Sequence, residues 1–254
     1  LNIITKPSVH LITRQHLNAE GVTAYLREID QHWSQTTPVA AENAVEMAGR
    51  VCYQSFSKPR PGGNSAYIKH ILEVGHGSVL EHAVFGLLIT GVSRSLTHEL
   101  IRHRAGFGFS QLSQRFVDES DCSFVLPPGI VEQSLAATIW LESIEFAQKG
   151  YAELVETLEL HEFASEKNPT LRRKRAREAA RSVLPNATAT QIFVTGNARA
   201  WRHFIELRGS IHADAEIRRL AVAVAEVLFD EAPNLFGDYT VDEQGEIQTD
   251  YRKV

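Results

Sequence analysis

Apolar residues recur in this chain at helical spacing through several long blocks and alternate with polar ones in a few short stretches. Ser8 to Arg14 (SVHLITR) alternates and predicts a strand. From Asn18, a candidate N-cap, Val22, Tyr25, Leu26 and Ile29 predict a helix reaching Trp33. A second helix is predicted from about Val39 to Tyr53, and the run FSKPRPGG from Phe56 to Gly63 then bars any regular element. Asn64 to Val74 sets Tyr67, Ile68, Ile71 and Leu72 on one side of a short helix, and Ala83 to Thr90 is a candidate buried strand.

The first half of the stretch Gly91 to Phe116 is helix-like, with Leu96, Leu100 and Ile101 on one side, and its second half is a glycine-containing bend followed by the polar segment Ser110 to Arg115. A long amphipathic pattern covers Ile130 to Phe163, with a kink expected at Gly150. Leu171 to Val183 predicts a helix stopped by Pro185, and Thr190 to Thr195 a strand. Helices over Asn197–Arg208 and Ala213–Glu231 are parted at Gly209-Ser210-Ile211, and Asp242 to Gly245 suits a hairpin turn in a polar tail. The economical fold is one α+β domain, rich in helices around a modest sheet.

At 254 residues the chain can bury a substantial core, and no apolar run approaches the roughly 18–20 residues that span a bilayer. A soluble, cytoplasmic protein that does not engage membranes is expected. Cys52 and Cys122 are far apart and are expected as two reduced thiols. The net charge of −5 argues against a general nucleic-acid binder. Positive charge is nevertheless concentrated: Arg94–Arg115 holds four basic residues, Arg172–Arg181 six and Arg199–Arg219 five, of 26 in the chain. Arginines outnumber lysines 19 to 7, and the planar guanidinium suits bidentate contacts to phosphate and carboxylate. Such crowding costs self-repulsion unless an anion sits among the cations, so an anionic small molecule is the expected ligand. The Arg172–Arg177 run fits a solvated helix face equally well.

His98-Glu99-Leu100-Ile101-Arg102-His103 approaches a zinc-protease motif, but its histidines are five apart where four are needed, so no metal site is expected. Gly106-Phe107-Gly108 lacks the third glycine of a dinucleotide fingerprint, and no P-loop is present. Ser113 is a candidate nucleophile that needs a base. His103, beside two arginines, has its basicity depressed, and a hydroxyl that hydrogen-bonds a ligand fits as well. His76, Ser78, Glu81 and His82 suit turn capping or ligand contact. Asn197, Arg199, His203 and Arg208 form a polar flank on an otherwise packed helix, which favours ligand contact.

Arg102-His103-Arg104 followed by Ser113-Gln114-Arg115 resembles the RHR-x7-S signature of flavin-dependent thymidylate synthases. The blocks HGSVLEH at His76–His82, RSVLP at Arg181–Pro185 and NARAWRHFIELR at Asn197–Arg208 support it, and the resemblance runs from about Ala48 to Phe236. Here eight residues, Ala105 to Leu112, separate Arg104 from Ser113, and the extra one is placed at the Gly106–Gly108 bend.

The resemblance implies a single domain over 1–254 with a mainly antiparallel sheet, 1–47 being a less typical N-terminal extension and 237–254 a polar C-terminal tail. It implies a homotetramer with shared active sites that binds FAD and methylates dUMP at C5 with methylenetetrahydrofolate and NADPH. No enzyme nucleophile attacks the base in that chemistry. Matched residue by residue, Glu99, Arg102, Gln111, Leu112, Ser113, Arg115, Arg181 and Arg208 correspond to nucleotide-binding positions. Arg208 and Ser113 are the catalytic candidates, with Arg208 stabilising negative charge on the pyrimidine. His76, Ser78, Glu81, Arg104, Asn197, Arg199, His203, Leu207 and His212 correspond to positions that hold FAD. Two alternatives stay open: a homologue methylating UMP in nucleoside natural-product biosynthesis, and a non-catalytic nucleotide- or flavin-binding protein.

Overall fold

The computed structural model describes residues 1–254, and the periodicities become a helix-rich α+β fold with a small antiparallel sheet. In chain order come β1 (Ile3–Ile4), β2 (Ser8–Arg14), α1 (Ala19–Glu28), α2 (Ala40–Tyr53), α3 (Gly63–Glu73) and a 3-10 turn (Gly77–His82). There follow β3 (Val84–Ser93), α4 (Arg94–Leu100), β4 (Phe107–Gln111), β5 (Phe124–Val125), α5 (Leu135–Leu160) and α6 (Pro169–Ala180). A second 3-10 turn (Arg181–Val183), β6 (Ala189–Asn197), α7 (Ala198–Arg208), α8 (Ala215–Glu231), α9 (Pro233–Phe236), β7 (Thr240–Val241) and β8 (Ile247–Gln248) complete the chain. The main sheet has the order β2-β3-β6-β4. Two compact units form, one from Leu1–Ser8, Ile89–Ile101 and Ser110–Ile192, the other from Val9–Leu88, Arg102–Phe109 and Phe193–Val254. All four sheet strands contribute residues to both.

In the first unit β1 and β5 pair in parallel, Ile3 opposite Phe124. The Ser93 hydroxyl accepts from Leu96 N–H at 3.0 Å and starts α4. Asn168 caps α6, and Pro169 stands at its first turn, where a missing N–H costs nothing. Helices α5 and α6 close on Tyr151, Val155, Ala176 and Ala180, the two alanines leaving room for the tyrosine ring. Helix α5 runs unbroken through Gly150. Its far side exposes an apolar stripe of Leu135, Ile139 and Phe146.

In the second unit Asn18 caps α1 as expected, but α1 ends at Glu28 rather than Trp33. Gln31 N–H bonds back to the Leu26 carbonyl, and Asp30 at φ +50° takes the chain out of the helix. Trp33 is then released to donate to Glu46 at 3.0 Å. Glu46 also holds the buried Arg50 at 2.8 Å and Asn64 at 2.8 Å, so α2 and α3 share a buried polar network. Strand β4 was not expected: Gly108 within it masks an alternation in which Phe107, Phe109 and Gln111 are the half-buried positions. The hairpin expected at Asp242–Gly245 is present, with β7 and β8 antiparallel and Gly245 at φ +76°.

Candidate functional site

Helix α7 begins where β6 stops, because Asn197 ends the strand and its side-chain oxygen accepts from Ala200 N–H at 2.8 Å. Trp201, Phe204 and Ile205 then point into the core, which leaves His203 and Leu207, four residues apart, on the outer face. Next to α7 the segment Arg102–Phe107 turns at Gly106, whose φ is +77° and whose carbonyl accepts from Asn197 N–H. A Cβ on Gly196 would lie 2.5 Å from the Phe107 ring, so that glycine lets the ring dock against Trp201 at 4.8 Å between centroids. A third wall comes from the stretch after β7, through Ile247, Thr249, Arg252 and Lys253. Together these enclose a cavity of about 1000 Å³ within the second unit.

The charge in it is one-sided. Arg102, Arg104, Arg208, Arg252 and Lys253 line the cavity with a single acid, Glu206. Both Glu206 oxygens are engaged, Oε1 by the Tyr239 hydroxyl at 3.1 Å and Oε2 by the Lys253 backbone N–H at 2.9 Å. Arg102, Arg104, Arg252 and Lys253 carry no side-chain ion pair. His103 is buried in the same wall and accepts from Arg208 Nε at 3.0 Å. Burial, then Arg208, His203 and Arg102, push its pKa down to about 4, so near neutrality it is an uncharged acceptor. Guanidiniums without an ion pair beside Phe107 and His203 suit an anionic ligand that carries a ring.

Of the residues singled out by sequence, Arg102, Arg104, His203, Leu207, Arg208 and His212 come together here. His76, Ser78, Glu81 and Arg199 belong to the same unit but gather around the first 3-10 turn instead. There Arg199 pairs with Glu81 at 2.7 Å, both about half exposed, and the His76 imidazole stacks on Tyr53 at 5.8 Å. Asn197 spends its side-chain oxygen on the α7 cap.

Glu99, Gln111, Leu112, Ser113, Arg115 and Arg181 lie in the first unit. Gln111 donates to Thr97 at 3.0 Å, and the Leu112 carbonyl accepts from Arg94 at 3.3 Å. Arg115 pairs with Glu178 at 3.0 Å, and Arg181 follows the end of α6. The Ser113 carbonyl accepts from Phe116 and Val117, while its hydroxyl has no hydrogen-bonded partner and so no activating base. Within the basic run of α6, Arg177 is tied to Asp118 and Arg175 to Glu166, as on a satisfied helix face. No three His, Cys, Asp or Glu side chains cluster as metal ligands would.

Sequence reasoning missed Glu206, Ile247, Thr249, Arg252 and Lys253. Their one local signal is a basic pair at the end of an acidic stretch. Buried Glu119 in the first unit was also missed. Burial lifts its carboxyl to about 7 despite the neighbouring Arg94 guanidinium.

Comparison with known proteins gives concordant results. The family model described as "Thymidylate synthase complementing protein" matches residues 34–234. Flavin-dependent thymidylate synthases of Mycobacteroides abscessus and Mycobacterium tuberculosis are each 52% identical over 221 residues, covering 86% of this chain and 87% of theirs. That of Mycolicibacterium vanbaalenii is 53% identical over 214 residues, with 84% of each chain covered. In fold, the chain resembles the UMP/dUMP methylase PolB of Streptomyces cacaoi bound with 5-Br dUMP. The TM-score there is 0.64 at 21% identity, over 93% of this chain and 96% of that one.

Proposed function

The chain belongs to the Thymidylate synthase complementing protein family, and on that premise we propose that it is a flavin-dependent thymidylate synthase. The reaction is methylation of dUMP at C5, with methylenetetrahydrofolate as one-carbon donor, NADPH as reductant and FAD as the bound cofactor. The observation that carries this is the cavity along α7: five cations against one acid already engaged by two donors, with Phe107 and Leu207 in the lining. Neither thiol lines that cavity. Cys122 is buried and held protonated, its pKa lifted to about 12 chiefly by burial and then by Glu119.

The donor set fits a flavin dinucleotide, since guanidiniums suit a diphosphate and an apolar strip suits a ring system. Arg104, His203, Leu207 and His212 would hold it, and when bound it supplies the reducing electrons. Arg102 and Arg208 orient the nucleotide, and the Arg208 cation stabilises negative charge that develops on the pyrimidine. His103, uncharged near neutrality, fixes the Arg208 fork through Nε and adds no positive charge of its own. Gln111, Leu112, Ser113, Arg115 and Arg181, with Glu99, complete the nucleotide contacts; Ser113 serves as a hydrogen-bonding hydroxyl. Glu81 and Arg199, with His76, Ser78 and Asn197, complete those to FAD. A homotetramer with shared sites belongs to the same proposal, supported by the exposed Leu135, Ile139 and Phe146 stripe on α5.

The test is the absorption spectrum of the purified protein, followed by tritium release from C5-labelled dUMP with methylenetetrahydrofolate and NADPH. Flavin bands, tritium release and dTMP formation are expected, with turnover on dUMP exceeding that on UMP. A protein that takes up no FAD and consumes no NADPH would overturn the proposal. Faster turnover on UMP would reassign the substrate, and binding without tritium release would mark a non-catalytic member.

A further inference from the structure

We propose that Arg252 and Lys253, in the stretch that follows the β7–β8 hairpin, form a phosphate-binding subsite of the α7 cavity. This rests on the functional reading above and adds to it two residues that the family resemblance, which ends near Phe236, does not reach. Both side chains are exposed, line the cavity and lack any ion pair. Two unpaired cations at adjacent positions repel each other unless an anion is shared between them.

The stretch that carries them is fastened at many points. Arg202 on α7, fully buried, donates to the carbonyls of Leu235 at 2.8 Å and Tyr251 at 3.3 Å. It also grips both oxygens of Asp238, at 2.6 and 2.8 Å. Asp238 in turn accepts from the Thr249 hydroxyl, and that hydroxyl oxygen accepts from Tyr251 N–H at 3.0 Å. Ile247 N–H bonds the Gly209 carbonyl at 2.9 Å, and Lys253 N–H bonds Glu206 at 2.9 Å. Gly77 carries no side chain where a Cβ would stand 2.6 Å from the Val254 carbonyl carbon, so the backbone lies flush there. Fixing the backbone while leaving two cations exposed at a cavity is preorganisation for an anion: the ordering entropy is spent before the ligand arrives. Arg202 is a positioning residue for the pair.

The chemistry recognised is a phosphate group. Two ligands of the proposed reaction carry one, FAD through its diphosphate and dUMP through its 5′-phosphate. The test is titration of the full chain and of Arg252→Ala, Lys253→Ala and the double variant with FAD, riboflavin, dUMP and deoxyuridine. Thermal melting serves as a check on folding. The double variant is expected to lose about tenfold or more in affinity for one phosphorylated ligand, with binding of its unphosphorylated counterpart unchanged. Loss confined to FAD assigns the subsite to the diphosphate, and loss confined to dUMP assigns it to the 5′-phosphate. Arg252→Lys should keep most of the affinity, and added salt should narrow the gap between wild type and double variant. Wild-type affinities for FAD and dUMP that survive in the double variant would overturn this inference alone. A wild-type chain that binds neither would overturn it together with the functional reading.

Discussion

Arg208 donates from Nε to His103 Nε2 across 3.0 Å, which makes the buried imidazole an acceptor and leaves its own proton on Nδ1. Burial acts first, then the charges of Arg208, His203 and Arg102, to hold its pKa at about 4. In Arg208→Ala the imidazole pKa, followed by NMR, should rise but remain below 6.5, because burial persists. The same shift sets a stability profile. Between about pH 6.5 and 4 the unfolded chain takes up a proton that the folded one refuses. The His103 contribution is therefore complete above about pH 6.5 and lost as pH falls toward 4. A His103→Gln variant melted across that range should show a shallower acid decline than wild type.

Glu119 has the opposite slope. Its folded carboxyl titrates at about 7, above its ordinary range, so the folded chain holds a proton that the unfolded chain releases. The stability this contributes is present below about pH 4.5 and lost as pH rises to 7. One carboxyl oxygen, Oε1, is buried without a hydrogen-bond partner, so ionisation there is poorly compensated. Glu119→Gln should flatten urea midpoints over this window. Above pH 7 it should exceed wild type by roughly 1–3 kcal/mol.

Arg202 is fully buried against Asp238, so removing it leaves a carboxylate with its chief partner gone. Arg202→Ala should cost about 3–5 kcal/mol in denaturant unfolding. Limited proteolysis should then cut within the stretch after Phe236 sooner than in wild type, since Tyr251 and Leu235 lose the same donor.

Glu81 and Arg199 form a pair about half exposed, and such pairs contribute only about 0–1 kcal/mol to stability. Arg199→Ala should accordingly leave the melting temperature nearly unchanged. A fall in FAD affinity without that loss of stability would mark the residue as a cofactor contact. An unchanged affinity would mark a plain surface ion pair.

Local signals carried much of the fold. Strand Ser8–Arg14 is present with the expected ends, and Asn18 caps α1. Phe204 and Ile205 turn inward so that His203 and Leu207 face out, as a 3.6-residue period requires. What escaped depends on distant partners. Strand β4 shows its alternation only once Gly108 is discounted, and α1 stops early at the Asp30 turn, which frees Trp33 to reach Glu46 on α2. Arg252 and Lys253 reach the cavity through Arg202 and Glu206, more than 40 positions upstream, and no local pattern encodes such a contact. Arg202 itself, one of several arginines on α7, carries no mark in the sequence of being the buried one.

Gly106 bears on how such chains are found. It turns the backbone at φ +77° just before β4, and a residue added to a turn lengthens the loop without reversing which side chains of the next strand face inward. A query written with a rigid seven-residue gap between the arginine triplet and its serine would discard this protein, in which eight residues, Ala105 to Leu112, intervene. Queries that allow the gap to vary at the glycine would retrieve it.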